Sequence, residues 1–300
     1  SDKTSDSCTY TLAYDGTSDN NLRYVGANPC NYVKVDNEYW SIIGVMNNID
    51  DGTGKKETRI KLIRNESIGT YSWDTSESSV NNGDGVNEWS QADLMKLLNP
   101  GYESESVGGS LYYNNSSGNC YSDDNNATTA CDFTTTGLKT NLKNLVGNTL
   151  WNTGTNVTND WTSASNGLAS HFYSYERSSN NGKICTSGSY CNDTVTRTTT
   201  WNGKIGLMYL SDYGFAAAQS AWTTNLIDYD GAAITSANWM YLGITEWTIS
   251  RNADDSGSTF FVRSGGSVNY YNVHNRYAVR PVFSLISSVK YASGSGSATD

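Results

Sequence analysis

An alternation of apolar and polar positions near the start of the chain predicts a β-hairpin. Residues 31–47, NYVKVDNEYWSIIGVMN, alternate and then run apolar, and residues 58–64, TRIKLIR, alternate again. The stretch DDGTG at 50–54 between them is typical of a tight turn. The two segments therefore predict a pair of antiparallel strands.

Apolar residues at helical spacing predict two or three helices in the middle of the chain. In residues 89–101, WSQADLMKLLNPG, Ser90 and Asp93 have the spacing of a capping box, and an Asn-Pro-Gly sequence ends the helix. Apolar residues also recur every three or four positions in 135–151, which predicts a second helix. A third, weaker helix is expected in 164–177.

The last hundred residues are predicted to form mainly strands. Residues 203–218 indicate a buried strand that runs into a turn, and residues 219–238 are expected to be irregular. Strands are then predicted at 238–243, 245–250, 258–266, 267–272 and 277–288. Together these elements predict an α+β fold with mixed antiparallel sheets, two or three helices and long polar insertions.

No internal repeat and no Pro/Gly linker divides the chain. The expected organisation is a single domain over residues 8–290. A flexible N-terminal tail is expected at 1–7, and a Gly/Ser-rich tail at 291–300.

The predicted last strand contains two residues that a buried strand tolerates poorly. Arg280 and Pro281 lie at the centre of YAVRPVFSL, residues 277–285. Proline cannot donate to a sheet ladder, and an interior arginine needs partners for its five N–H donors. We therefore expect Arg280 to point into the domain and to donate to carbonyls or a carboxylate, and Pro281 to lie where the ladder is interrupted.

The charge balance disfavours nucleic acid and anionic membranes as partners. The chain has 20 Lys and Arg against 30 Asp and Glu, and its formal net charge is -10 at pH 7. This charge repels nucleic acid and anionic membrane surfaces. No apolar stretch has the roughly 18 residues that span a bilayer, so no membrane contact is expected of this chain. The only histidines, His171 and His274, lie far apart in the sequence and offer little for His-based chemistry.

Six cysteines form three sequence-local pairs in polar, turn-rich surroundings. The economical pairing is Cys8–Cys30, Cys120–Cys131 and Cys185–Cys191, although six cysteines allow 15 pairings and the sequence does not choose among them. Three local disulfides would indicate an oxidising, extracellular or cell-surface location.

Three C-terminal segments resemble a known family. The order of EWTIS at 246–250, FVRSGGSV at 261–268 and YAVRPVFSL at 277–285 is similar to the C-terminal sheet of the C-type lectin fold. The similar branch is that of the formylglycine-generating enzyme and the variable proteins of diversity-generating retroelements. The resemblance implies structural roles for Trp247, Arg263, Gly265, Gly266, Arg280 and Pro281. The chain departs from the family pattern at Val268, where tryptophan is frequent, and at Ala278-Val279, where Gly-Phe is usual.

The chain also resembles large pilin-like surface proteins of bacteria, in GLMYLSDYGFA at 206–216 and in its terminal sequence. In that family a hydrophobic prepilin helix precedes a disulfide-containing globular domain. The resemblance implies that such a helix would end just before residue 1.

Catalytic templates find little support in the sequence. The enzymes of the resembling family use a pair of cysteines in their C-terminal part, and this chain has no cysteine after Cys191. No G-x-S-x-G motif is present, and paired aspartates such as Asp50-Asp51 are typical of turns. We therefore expect no enzyme activity and no cofactor. A structural calcium ion is an alternative at the oxygen-rich stretches 47–54 and 81–88, although both lack EF-hand spacing.

The remaining hypothesis is recognition of a protein or glycan ligand by a C-terminal face rich in Tyr, Asn, Arg and His. The predicted ligand-binding residues are Trp239, Tyr241, Arg251, Tyr270, Tyr271, His274, Asn275 and Arg276. In the retroelement-linked relatives the matching segment is the diversified binding face. This hypothesis describes a non-catalytic surface or pilus-associated adhesin. The alternative is a structural, pilin-like filament subunit that contacts copies of itself and has no dedicated ligand site.

Overall fold

The computed structural model describes residues 7–35, 38–75, 85–103, 117–122, 126–134, 137–156, 160–164, 166–182, 195–290 and 294–297. The strands are β1 Leu12–Tyr14, β2 Leu22–Tyr24, β3 Tyr32–Val35, β4 Glu38–Asp50, β5 Lys56–Arg64, β6 Thr70–Ser72, β7 Ser117–Ser122, β8 Asn126–Asp132, β9 Thr149–Asn152, β10 Thr200–Gly203, β11 Ile205–Gly206, β12 Glu246–Arg251, β13 Ser258–Val262, β14 Val268–Asn272, β15 Arg276–Ala278 and β16 Val282–Ser284. The α-helices in this part of the chain are α1 Asp93–Leu98, α2 Thr140–Lys143, α3 Ala169–Glu176, α4 Leu210–Ala216 and α5 Ala232–Thr235. Short 3₁₀ turns lie at Trp89–Gln91, Asp160–Thr162, Gln219–Ala221 and Leu226–Asp228.

Two sheets form the framework. The first has seven antiparallel strands in the order β1-β2-β4-β5-β16-β11, with β3 beside β4. The second has the order β14-β13-β12-β15-β6, and its one parallel pair is β12 with β15. Two further two-stranded antiparallel sheets are formed by β9 with β10 and by the β7/β8 hairpin. The fold is therefore mixed α+β, mostly antiparallel and poor in helices, as the sequence predicts at this coarser level.

The predicted N-terminal hairpin is confirmed by the pairing of β4 with β5, from Trp40 opposite Arg64 to Asp50 opposite Lys56. In the turn, Asp50 Oδ1 accepts the N–H groups of Gly52 and Gly54, at 2.8 and 3.0 Å. The carboxylate of this oxygen-rich stretch therefore stabilises its own turn, which is the usual role of a turn aspartate.

The predicted strand at 277–288 is two strands in different sheets. Residues up to Ala278 belong to β15 in the second sheet, and Val282 begins β16 in the first sheet. The missing N–H of Pro281 costs nothing in this crossing segment, while its carbonyl accepts a hydrogen bond from Arg64 N at 3.1 Å. Pro281 thus lies where the ladder is interrupted, as expected.

The predicted helix at 135–151 is largely wrong. Among the described residues of this segment, 137–151, only the single turn α2 is helical. The chain then pairs with the C-terminal segment: Ile286 N donates to Leu145 O at 2.8 Å, and Gly147 N donates to Ser284 O at 2.9 Å. Leu150 belongs to β9. Backbone pairing with a distant segment therefore overrides the helical spacing of the leucines.

The segment predicted as a buried strand and turn at 203–218 contains the two-residue strand β11 and then the helix α4. All seven residues of α4 are buried. A helix that is buried on every side has no polar face, so its sequence resembles that of a buried strand. The strand predicted at 238–243 is also wrong, because Trp239 lies in a turn. The backbone N–H of Trp239 donates to Gly26 O.

Helix α1 lies where it was predicted, but its start differs. Ser90 donates through its backbone N and its hydroxyl to Glu88 Oε1, while Asp93 Oδ2 accepts from Thr75 N at 2.9 Å. The predicted capping box between Ser90 and Asp93 is therefore wrong. The third helix is confirmed as α3.

Both sheets contribute to one cluster of buried side chains, in which five tryptophans are among the largest fully buried residues: Trp40, Trp73, Trp89, Trp151 and Trp247. None of the helices in the described ranges has the length and hydropathy of a membrane span.

One disulfide, Cys8–Cys30, is confirmed, and it joins the segment before β1 to the segment before β3. Cys120 and Cys131 lie in the β7/β8 hairpin, but their side chains are outside the described part, as are residues Cys185 and Cys191. Of the predicted tails, residues 1–6, 291–293 and 298–300 lie outside the described residues. Residues 294–297 pack on the domain, since Tyr32 N donates to Gly296 O at 2.9 Å.

Candidate functional site

The second sheet has a buried centre and a partly exposed edge. All residues of β12 and β13 are buried, whereas the edge strand β14 exposes half of the Tyr271 side chain, with 52% of its surface accessible. Alternation along β14 sends Tyr270 the other way, against Trp161 and Phe260 of the core. Tyr270 and Tyr271 therefore do not share one binding surface.

Tyr277 connects this edge to the core. Its ring lies 4.4 Å from the ring centroid of Trp247 and 4.8 Å from that of Phe261, and its outer side remains partly exposed. Burial raises the pKa of Tyr277. Tyr271 adds a smaller contribution to this rise, and the charge of Arg263 opposes it. Val262 and Ala278 both pair with Glu246 in the second sheet, so Arg263 and Tyr277, the residues next to them, lie toward the same end of that sheet.

Two arginines flank these tyrosines. Arg263 and Arg276 are both exposed, and neither pairs with a carboxylate within the described residues. Arg276 Nη2 donates to Thr70 O at 3.3 Å, and its charge opposes the rise that burial causes in the pKa of Tyr71. We call the following set the tyrosine–arginine edge: Arg263, Tyr271, His274, Asn275, Arg276 and Tyr277.

Tight turns hold this edge in place. Arg263 N donates to Ser267 O at 2.8 Å, and Gly266 N donates to Arg263 O at 2.9 Å. Gly266 has a φ of 104°, and a Cβ there would lie 2.7 Å from Tyr229 O, so this turn requires glycine. On the other side, Asn275 donates through its backbone N and its Nδ2 to Asn272 O, each at 3.1 Å.

Two of the predicted ligand-binding residues are buried, which corrects their assignment. Trp239 Nε1 donates to Tyr24 O at 2.8 Å. Arg251 pairs with Glu88 at 3.0 Å and donates to Thr198 O at 2.7 Å, because β12 is buried along its whole length. Tyr241 is partly exposed and donates to Ser264 O at 2.7 Å. Of the predicted ligand-binding residues, two are exposed, Tyr271 and Arg276; four are partly exposed, Tyr241, Tyr270, His274 and Asn275; and two are buried, Trp239 and Arg251.

Of the residues predicted to have structural roles, some are buried and others are exposed. Trp247 is fully buried and donates through Nε1 to Tyr71 O at 3.0 Å. Arg263 and Gly265 are exposed, and a Cβ at Gly265 would meet nothing nearer than Asp230 Cβ at 4.0 Å, so packing does not require that glycine. The sequence therefore predicted a structural role for Arg263, which is exposed, and did not predict Tyr277 as a site residue. The position of Tyr277 in a predicted strand, directly after Arg276, could have indicated it.

Arg280 is buried, as expected, with 2% of its surface exposed. Its Nε and Nη2 meet the two carboxylate oxygens of Glu246 at 2.5 and 2.8 Å, and Nη2 also donates to Met240 O at 2.8 Å. Burial raises the pKa of Glu246 against the opposing charge of Arg280. This pair, which we call the internal brace, is buried inside the domain, and neither of its residues is part of the solvent-exposed edge.

Within the described ranges, no group of three or more His, Cys, Asp or Glu side chains is arranged to hold a metal ion. Part of the second oxygen-rich stretch, residues 81–84, lies outside those ranges. The calcium alternative at 81–88 therefore stays a prediction.

No protein-family model, no curated protein sequence and no solved structure matches this chain.

Proposed function

We propose that this chain is a non-catalytic extracellular or pilus-associated surface protein that recognises a protein or glycan ligand through the tyrosine–arginine edge. The observation that carries the proposal is the exposure of Arg263, Tyr271 and Arg276, which lie on or directly next to the strands β13, β14 and β15 of the second sheet. Tyrosine and arginine are the residue types that dominate binding energy at recognition surfaces.

The support of this edge favours recognition. Tyr277 packs on Trp247 and Phe261, so little conformational freedom remains to be lost when a ligand covers it. Two exposed guanidinium groups that have no carboxylate partner among the described residues favour a ligand that carries carboxylate or sulfate groups.

The proposed architecture is a C-type lectin-like fold of the formylglycine-generating-enzyme and retroelement-variable type. The order of β12, β13, β14, β15 and β16 at the C-terminus and the inward position of Arg280 support it. The disulfide Cys8–Cys30 supports an oxidising location.

The test compares binding of three proteins to an array of neutral, sialylated and sulfated oligosaccharides printed beside acidic and neutral peptides. The test variant combines Arg263→Ala, Tyr271→Ala and Arg276→Ala. The matched control combines Tyr14→Ala, Lys34→Ala and Lys55→Ala, which removes one exposed tyrosine and two exposed cations elsewhere on the surface.

We expect the test variant to lose at least about thirtyfold in affinity, since a single hot-spot residue contributes about 2 kcal/mol or more. The control should bind like the natural sequence, and thermal melting should show that all three proteins are folded. Equal binding by the test variant would contradict the location of the site. Failure of the natural sequence to bind any member of the array would contradict the recognition function.

A structural role in a filament is the second candidate, and one observation favours it. Tyr10, Leu12 and Tyr14 share one face of the chain at the edge strand β1, and 70%, 43% and 61% of their surfaces are exposed. Apolar residues on an open strand edge are typical of contacts between copies. Sedimentation of the natural sequence and of Leu12→Ser/Tyr14→Ser checks this candidate: it predicts assembly that the double variant abolishes, together with no binding on the array.

A further inference from the structure

A small pocket opens beside the first sheet, remote from the tyrosine–arginine edge in the sequence and in the sheet order. About 20 Å³ of it is available to the centre of a water molecule, and the pocket is partly open to solvent. Four partly exposed residues form its rim: Ile49, Leu150, Asn152 and Arg177. Its buried floor includes Arg23, Lys61, Thr149, Trp151, Tyr209 and Asp212.

Positive charge dominates the lining of this pocket. Arg23, Lys61 and Arg177 face a single lining carboxylate, Asp212. Both oxygens of Asp212 are already occupied, Oδ1 by Arg23 Nη1 at 2.8 Å and Oδ2 by Lys61 Nζ at 2.5 Å and Tyr209 N at 3.1 Å. The lining therefore has cationic donors in excess of acceptors.

The carboxylates behind the lining do not remove this excess. Asp15 pairs with Arg23 Nε at 2.7 Å. Asp19 and Glu176 lie 3.4 and 3.8 Å from nitrogens of Arg177, which are long contacts for ion pairs. Burial raises the pKa of Glu176 to about 7, so Glu176 is only partly charged near neutral pH. Arg177 also stacks on the Tyr173 ring, 3.4 Å from its centroid, and donates through Nη1 to Tyr173 O at 3.3 Å.

Two groups in the pocket have unused donors. Thr149 is buried, and its Oγ1 has no hydrogen-bond partner among the described residues. Lys61 Nζ carries three protons and makes one hydrogen bond, to Asp212. Its other protons lie near the faces of Tyr209 and Trp151, with the nitrogen 4.3 and 5.5 Å from the ring centroids. Burial lowers the pKa of Lys61 despite the nearby carboxylate, so a second anion would stabilise its charge.

We propose that this pocket binds a small carboxylate, with Lys61 and Arg177 supplying positive charge and the Thr149 hydroxyl donating a hydrogen bond. A carboxylate has two oxygens and four acceptor positions, and it therefore satisfies the donors that the protein leaves unused. The rings of Trp151 and Tyr209 form an apolar wall for the carbon that bears the carboxylate. This site does not depend on the recognition function proposed above.

The chemistry fits three sources of carboxylate, and the experiment separates them. The probes are sodium acetate, sodium glucuronate and a tripeptide with a free C-terminus, whose control is the same peptide amidated. Each probe is compared with sodium chloride at equal ionic strength, because general screening by salt affects every surface charge. Binding is measured by calorimetric titration and by the shift in melting temperature.

The variants are chosen to keep the fold. Thr149→Val preserves the shape and removes only an unpaired hydroxyl, so the stability without ligand should be unchanged or higher. Its matched control is Thr200→Val, the same substitution at an exposed position of β10 in the same two-stranded sheet. Arg177→Gln removes the cation at the rim, and its control is the exposed Lys55→Gln.

We expect at least one probe to bind the natural sequence and to raise its melting temperature above that in chloride. Thr149→Val and Arg177→Gln should each bind about tenfold more weakly, which is the effect of losing one hydrogen bond to a charged group, while both controls bind normally. Glucuronate bound more tightly than acetate identifies an acidic saccharide, and a preference for the free over the amidated peptide identifies a peptide terminus. No difference from chloride for any probe, or equal binding by Thr149→Val and Arg177→Gln, overturns the proposal.

Discussion

Replacing Arg280 by methionine should be among the most destabilising single changes in this chain. The change keeps an apolar stem of similar length and removes the guanidinium, which makes two contacts to Glu246 at 2.5 and 2.8 Å and one to Met240 O. Glu246 is itself buried, so the variant would contain a carboxylate with no counter-charge in the protein interior. Breaking a buried pair in this way costs about 3–5 kcal/mol, a large part of the stability of a typical domain.

The pH dependence of this loss distinguishes the ion pair from simple packing. Burial already raises the pKa of Glu246, and removal of Arg280 takes away the charge that opposes this rise. When the pKa of a carboxyl group is higher in the folded than in the unfolded state, the protein loses folding stability as the pH rises from the unfolded-state pKa toward the folded-state pKa. The destabilisation by Arg280→Met should therefore be smaller at pH 5 than at pH 8.

The assay is urea unfolding of the natural sequence, Arg280→Met, Glu246→Gln and the double variant Arg280→Met/Glu246→Leu. The double variant should be more stable than Arg280→Met, because replacing both members of a buried pair leaves no unpaired charge. A loss below about 1 kcal/mol in Arg280→Met, or a loss that is the same at pH 5 and pH 8, would refute the reasoning.

Two further predictions concern stability. Replacing Cys8 and Cys30 by serine opens a loop with a sequence separation of 22 residues and should cost about 3 kcal/mol, which thermal melting against the oxidised natural sequence measures; an unchanged melting temperature would contradict it. Glu38 is buried, its oxygens have no hydrogen-bond partner among the described residues, and Arg64 Nε lies 3.5 Å from Oε1. Burial raises the pKa of Glu38 from 4.5 to about 7, so the natural sequence should lose stability as the pH rises through that interval. Glu38→Gln should match the natural sequence below pH 4.5 and exceed it by about 1–3 kcal/mol above pH 7 in urea unfolding; a difference independent of pH would contradict the raised pKa.

The sequence predicted those elements whose pattern is decided locally. The β4/β5 hairpin alternates on either side of a turn that is closed by local hydrogen bonds to Asp50 and Asp51, and α3 lies within the segment whose weak apolar pattern predicts a helix. Prediction failed where distant segments decide the backbone. Residues 145–147 pair with the C-terminal segment instead of continuing a helix, and α4 is buried on all sides and so shows no helical face.

The candidate site was predicted in part for the same reason. Alternation in a strand says that Tyr270 and Tyr271 face opposite ways, but it does not say which of them faces solvent. Burial of Arg251 depends on Glu88, which lies 163 residues earlier in the chain. The exposure of Arg263 depends on the local turn that Gly266 closes. The resemblance to the C-type lectin family instead predicted a structural role for Arg263.

Arg280 and the tyrosine–arginine edge are mechanically linked. Arg276 and Tyr277 belong to β15, whose last residue, Ala278, pairs with Glu246 and donates through its N–H to Thr245 O at 2.9 Å. The carboxylate of that same Glu246 holds Arg280 two residues further along. The brace therefore fixes the chain at the point where it leaves the second sheet for the first, and with it the strand that carries two residues of the edge. Because recognition improves when side chains are held in place before binding, loosening the brace should weaken ligand binding even in molecules that remain folded.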